Sequence, residues 1–351
     1  MKFNKKVLSL LLAFVLMLSL VACGDTNKDA DKPANGGAES PSGDTKKIGL
    51  LIYNGADNYI ATVRQAFEKL DADSDAFELE IVDGQNNQAT QNEQLDAMIA
   101  KGVDALLVNI VDFGAAEEVK SKIAATDIPA VFFNRDIAGD LTADDLKQFI
   151  FYGTVAPQAG VYQGEMALDY WKNSENADRN GDGKLQYVML HGGLDNAEAV
   201  ARTEESIKVL TDNGVEVEEL GMQVANWNTD EAKTAVDAWM AKDEANIDII
   251  FANNDGMASG AVSSLKALGY NSGDDAKYIP IYGVDAISDA LAHIEAGEMQ
   301  GTVKQNNETM AKGVIDLMMN KLDGNDWTDG IDYDLYEDGV SVRMDYEKVS
   351  Q

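Results

Sequence analysis

The chain has 351 residues, with 28 Lys and Arg against 61 Asp and Glu, a formal net charge of −33. A surface of that sign repels phosphate backbones and anionic headgroups, which argues against a nucleic-acid partner. Its only cysteine, Cys23, has no second thiol to pair with, so the fold must rest on buried apolar surface, and the length exceeds what one core spans.

The first residues read as an export signal. Lys2, Lys5 and Lys6 precede an apolar run, Val7 to Val21, too short and wrongly flanked for a membrane span. It ends in Leu20-Val21-Ala22-Cys23-Gly24, which resembles a bacterial lipobox. Cleavage before Cys23 would leave its thiol to carry a lipid, placing the chain outside the cytoplasm with that anchor as its only membrane attachment. The other reading is an ordinary signal with a chance cysteine. Residues Asp25 to Lys46 are rich in Asp, Asn, Gly, Ser, Pro and Lys without apolar periodicity, the composition of a flexible tether.

From Lys47 short apolar runs alternate with amphipathic stretches. The runs predict strands over Ile48–Tyr53, Leu79–Val82, Ala105–Val108, Ala130–Phe133 and Ile150–Gly153. A second series predicts Leu185–Leu190, Val215–Leu220, Ile247–Ala252, Ile279–Val284 and Gly301–Lys304. Between them the spacing predicts helices over Asn58–Leu70, Gln88–Ala100, Ala115–Ala125, Pro157–Trp171, Ala197–Thr211, Asp230–Ala241, Gly256–Leu268 and Ile287–Glu295. Two such series imply an α/β fold of two doubly wound parallel-sheet lobes. Asn and Asp recur at the strand ends, where such sheets bind ligands, and paired donors and acceptors suit a neutral polyhydroxyl molecule.

One loop has the spacing of a cation site. Asp178, Asn180 and Asp182 stand at positions one, three and five of an EF-hand loop, with Gly183 at six, the Lys184 carbonyl at seven and Gln186 at nine. Position twelve is Met189, which cannot serve a hard cation. The loop is therefore either a structural Ca2+ site completed from elsewhere or an acidic turn.

The order of these strand ends resembles the galactose/glucose-binding proteins of the type I periplasmic-binding family. The markers are Ile52-Tyr53 with Asp57-Asn58-Tyr59, Val131-Phe132-Phe133-Asn134-Arg135, Tyr152-Gly153-Thr154, Ala252-Asn253-Asn254-Asp255, Gly283-Val284-Asp285-Ala286 and Gly301-Thr302-Val303. The resemblance implies two lobes joined by a three-strand hinge that close on a sugar. The first lobe would be residues 47–153 plus 306–339, and the second 154–305 plus 340–351. It implies a monosaccharide ligand, galactose or glucose, handed by a monomer to the permease of an ABC importer. The implied binding residues are Tyr53, Asp57, Tyr59 and Asn134 from the first lobe. From the second they are Asn196, Glu198, Arg202, Trp227, Asn254 and Asp285, with Gln305 at the hinge. It also implies that Asp248 completes the Ca2+ site.

The chemistry suits that role. Carboxylates accept from sugar hydroxyls, Asn134 and Asn254 can donate and accept at once, Arg202 offers a planar fork, and Trp227 and Tyr59 present flat faces to a pyranose. Trp227 could equally be a core aromatic. The chain departs from the family pattern at Asn196 for histidine, Glu198 for aspartate, Gln305 for asparagine and Tyr59 for phenylalanine. An enzyme is disfavoured: the only histidines are His191 and His293, and a carboxylate couple such as Asp57 and Glu198 serves binding without special pKa values. A repressor would need a basic helix-turn-helix before Ile48, and a sensor role beside transport stays open.

Overall fold

A computed structural model describes residues 45–351, which belong to one compact unit. The signal segment, Cys23 and the tether up to residue 44 lie outside the described residues. The first lobe contains β1 (Lys46–Ile52), α1 (Asn58–Ala72), β2 (Phe77–Asp83), α2 (Gln88–Lys101), β3 (Ala105–Val108), α3 (Ala116–Ala124), β4 (Ala130–Phe133) and β5 (Phe149–Thr154). The second contains α4 (Ala156–Asn173), β6 (Leu185–His191), α5 (Ala197–Asp212), β7 (Val217–Val224), α6 (Thr229–Asp243), β8 (Ile249–Ala252), α7 (Asp255–Ala267), β9 (Ile281–Tyr282), α8 (Ser288–Glu295) and β10 (Gly301–Lys304). The chain then returns through α9 (Asn307–Leu322) and β11 (Ser341–Met344) and ends with β12 (Glu347–Ser350).

The strands form two six-stranded sheets, β11-β5-β4-β3-β1-β2 and β12-β10-β9-β8-β6-β7. All pairings are parallel except β12, which runs antiparallel to β10. Helices cover both faces, so neighbouring residues of one strand enter different cores. Leu50 packs with Val131, Phe133 and residues of α1 and α9, whereas Leu51 packs with Phe132, Phe151 and residues of α2 and α3. In the second lobe Val188 and Leu190 face α6 and α7, and Tyr187 and Met189 face α4 and α5.

The helices start where a short polar side chain caps them. Asp57, Asn87, Asn196, Asn228, Asn254 and Asn306 each accept a backbone N–H from the first turn of α1, α2, α5, α6, α7 and α9. Since helices here follow strands, these caps gather at the carboxyl ends of both sheets.

Three segments cross between the lobes: β5 to α4, β10 to α9, and β11 to β12. One expected boundary needs correction. The last crossing was placed at residue 340, but Ser341–Met344 pair with Phe151–Thr154 in the first sheet, so the chain crosses only after Met344. The expected strand Ile279–Val284 is shorter too. Pro280 has no N–H to give a ladder, and only Ile281–Tyr282 are strand.

Candidate functional site

A narrow pocket lies between the lobes. All eleven expected binding residues line it. Tyr53, Asp57, Tyr59 and Asn134 come from the first lobe. The second supplies Asn196, Glu198, Arg202, Trp227, Asn254 and Asp285, and Gln305 stands on the second crossing segment. Ile60 and Arg135 join them.

Several of these side chains are fixed by the backbone they cap. Asp57 Oδ1 accepts from the Ile60 amide at 2.8 Å, and its Oδ2 accepts from the Tyr53 hydroxyl at 2.7 Å. Asn196 Oδ1 accepts from the Ala199 amide and Asn254 Oδ1 from the Met257 amide, both at 2.9 Å. Asn134 Oδ1 accepts from Asn109 Nδ2 at 3.1 Å. Each carbonyl already accepts one hydrogen bond and keeps its second lone pair, and each amide nitrogen can donate.

The pocket backbone is unusual. Asn134, Asn226 and Trp227 have φ of 63°, 49° and 62°, and Asp285 has φ 127°. Non-glycine residues adopt such conformations at a cost of order 1–3 kcal/mol each, offset by surrounding contacts. Asp285 is held by its own amide, which donates to the Val303 carbonyl at 2.7 Å, and by its carbonyl, which accepts from the Gln305 amide at 3.2 Å. Trp227 lies against Gly192, where any Cβ would strike the indole ring. The tryptophan is partly exposed, with its buried side packed against the core of the second lobe.

Arg202 is 2% exposed, so its guanidinium must find its partners inside the protein. Its Nη1 donates to the Asn253 carbonyl at 2.7 Å and its Nη2 to Glu198 Oε2 at 2.8 Å. Burial opposes the charge, but Tyr346, Glu198 and Asp285 more than offset it and keep Arg202 protonated. Burial raises Asp57, Glu198 and Asp285 above the usual carboxyl range, Asp285 most strongly, against the lowering effect of Arg202 on the last two. Below Asp285, burial pushes Asp255 up to about 6 while Thr302 and the Ile287 amide donate to it at 2.6 and 3.0 Å.

Six buried side-chain polar atoms have no partner among the described residues, and four of them belong to this pocket: Tyr59 Oη, Arg135 Nε, Arg202 Nε and Gln305 Nε2. An unpaired buried donor costs about 1–3 kcal/mol, so their clustering marks a place where a polar molecule supplies the missing acceptors. Arg135 was not among the expected binding residues. Its guanidinium stacks 4.5 Å from the Tyr53 ring and 4.4 Å from the Phe113 ring, with Nη2 donating to the Val111 carbonyl at 2.9 Å. Its place directly after Asn134 was the signal. Thr154 and Tyr346 were also missed; both lie buried beside Glu198 and Arg202.

The loop 178–186 is far from this pocket in the fold, at the start of β6. Asp178 accepts from the amides of Gly181, Asp182 and Gly183, and Asp182 from that of Lys184. Asn180 Nδ2 lies 2.7 Å from Gln186 Oε1, and both approach Asp182 Oδ2, so the side chains at positions three, five and nine turn toward one another. Asp248 behaves differently. Its two oxygens accept from the amides of Arg179 and Gln186, both at 2.8 Å, which braces the loop against β8. Burial pushes Asp248 up to about 6. Among the described residues no three acidic, cysteine or histidine side chains converge as a metal centre.

A profile described as a periplasmic binding protein domain matches residues 48–326. The chain is 36% identical over 319 residues to the D-galactose/methyl-galactoside binding periplasmic protein MglB of Haemophilus influenzae, covering 91% of this chain and 93% of that one. It is 28% identical over 310 residues to the ribose import binding protein RbsB of Bacillus subtilis, covering 88% and 90%. Among solved structures, an ABC transporter solute binding protein from Bacillus halodurans C-125 with bound myo-inositol superposes with a TM-score of 0.72 at 23% identity, covering 87% and 94%. That last likeness concerns the fold.

Proposed function

The chain belongs to the periplasmic binding protein family, and we propose from that premise that it captures a monosaccharide outside the cytoplasm and delivers it to the permease of an ABC importer. Galactose or glucose is the ligand we assign first. The relatives found are sugar-binding transport proteins rather than enzymes. The observation that carries the reading is the cluster of unpartnered buried donors in a pocket built from both lobes, beside a partly exposed indole.

Arg135, Arg202 and Gln305 donate to sugar oxygens, Asp285 accepts from sugar hydroxyls, and Trp227 covers an apolar C–H face. Asn134, Asn196 and Asn254 add amide donors from the two lobes. Because both lobes contribute, the ligand is held only when they stand together, which is how a binding protein reports occupancy to a permease.

The experiment is calorimetric titration of the purified protein with a panel of aldohexoses, pentoses and polyols. Micromolar or tighter binding of galactose or glucose supports the first assignment. Selective binding of another sugar moves it, with Tyr59 and Gln305 as the residues that retune the pocket. No binding by any sugar sinks the reading.

Two further features belong to this proposal. Cys23 is the lipid attachment site, tested by mass spectrometry of the membrane-extracted protein; it lies outside the described residues, and among those no helix is long and apolar enough to cross a membrane. The loop 178–186 takes a structural Ca2+, with Asp178, Asn180, Asp182, Gln186 and the Lys184 carbonyl as its oxygens. Asp248 would serve it chiefly by bracing the amides of Arg179 and Gln186.

A further inference from the structure

Four buried side chains close a ring under the pocket. Arg202 Nη2 donates to Glu198 Oε2 at 2.8 Å, and Thr154 Oγ1 donates to Glu198 Oε1 at 2.6 Å. Tyr346 Oη donates to Thr154 Oγ1 at 2.9 Å and accepts from Arg202 Nη2 at 2.8 Å. Each hydroxyl thus donates once and accepts once, and the charges of Arg202 and Glu198 set the direction of the ring. Gln305 Oε1 accepts from the same Arg202 nitrogen at 3.3 Å.

The membership of this ring matters. Thr154 ends β5 on the first crossing segment, Gln305 lies on the second and Tyr346 on the third. Arg202 is therefore bonded, directly or through Glu198, to all three segments that join the lobes. With Nη1 on the Asn253 carbonyl and Nη2 in the ring, Nε is the one guanidinium nitrogen left without any partner among the described residues.

We propose that Tyr346 and Thr154 are positioning residues of the binding site: they fix the Arg202 guanidinium so that Nε meets the ligand, and they tie that contact to the three crossing segments. The inference rests on the ligand-binding reading above. The site is then assembled at the hinge as much as on either lobe, and neither residue needs to touch the ligand.

The test uses D-galactose as probe, with calorimetry on the full chain and its variants. Tyr346→Phe and Thr154→Val, which each remove one ring hydroxyl, are expected to weaken binding about tenfold or more, because each loses a hydrogen bond linked to a charge. Thr154→Ser keeps the hydroxyl and is expected to bind like the unaltered protein. The double variant Tyr346→Phe/Thr154→Val is expected to be hardly weaker than the worse single one, since one cut opens the ring; additive losses would overturn the ring as a unit. A ligand-free readout runs in parallel. The chain has five arginines, so 15N-arginine spectra are simple, and Arg202→Lys assigns the Arg202 signals. Restricted, resolved Nη signals in the unaltered protein should collapse in Tyr346→Phe. Should D-galactose bind no form of the protein, the sugar assignment fails alone; Arg202 signals unmoved by Tyr346→Phe would overturn the positioning role itself.

Discussion

Asp255 and Gly283 stand so close that any Cβ on the glycine would collide with Asp255 Oδ1. The carboxylate cannot retreat, because Thr302 and the Ile287 amide hold its two oxygens. Asp255 thereby fixes the strained segment that carries Asp285 into the pocket. Gly283→Ala is expected to cost about 1–3 kcal/mol of stability and to weaken sugar binding with it. A thermal melt and a titration check both; an unchanged melt would mean that this contact relaxes freely.

Trp227 offers a second paired test. Trp227→Ala removes the indole face and is expected to weaken sugar binding about tenfold to a hundredfold. Gly192→Ala leaves the ring in the sequence but drives a methyl into the space it occupies, so a loss in the same direction is expected. Tryptophan fluorescence follows both, and full affinity in Trp227→Ala would remove the indole from the site.

Tyr59 should separate stability from binding. Its hydroxyl is buried without a partner among the described residues. Tyr59→Phe is therefore expected to stabilise the ligand-free protein, by about 1 kcal/mol, while weakening the ligand that supplies the missing partner. Calorimetry and melting read the two signs independently, and equal affinity for every sugar in the panel would show that no ligand group meets this hydroxyl.

The buried carboxyls make an unusual pH dependence. Burial pushes both Asp255 and Asp248 to about 6 from a usual 3.8, and raises Asp57, Glu198 and Asp285. A carboxyl raised on folding holds its proton more tightly in the folded chain. Its contribution is present below about pH 4 and fades as pH rises through about 6. The buried carboxyls thus favour the folded chain on acidification from pH 7.5 to 5, on the order of 1 kcal/mol for Asp255 alone, while His191, lowered by burial, opposes them over the same range. Asp145, Asp237, Glu298 and Asp338 are lowered, so they act only at more acid pH. Melting curves across that range, with Asp255→Asn as control, would refute this if stability fell instead.

Millimolar Ca2+ is expected to raise the melting temperature and EDTA to lower it, with Asp178→Ala abolishing the difference. Indifference of the unaltered protein to both would mean that the loop works through its amide hydrogen bonds alone.

What the sequence announced and what it hid follow from burial and capping. Strands buried on both faces, such as Ala105–Val108 and Ala130–Phe133, are unbroken apolar runs and are found where expected. Helix starts after Asp57, Asn87 and Asn196 are likewise found, because the capping side chain marks them. The unexpected elements lie at the end of the chain. β11 carries Arg343 and β12 is mostly exposed, so neither has the apolar run of an inner strand. α9 also starts after a capping side chain, Asn306, but lies beyond the two strand–helix series, on the return into the first lobe. Of the pocket, the residues at strand ends and on α5 were legible. Thr154 and Tyr346 were not, because their role comes from 192 residues of separation closing to one hydrogen bond.

The helix caps at the pocket bear on how such a site changes its ligand. Asp57, Asn196 and Asn254 serve two masters: each faces the pocket, and each starts a helix, where replacement by alanine costs typically about 1 kcal/mol. Tyr59, Trp227 and Gln305 cap nothing. Evolution or design can rewrite those three without unravelling a helix, so new specificities should arise there first, on a frame of capping residues that stays constant.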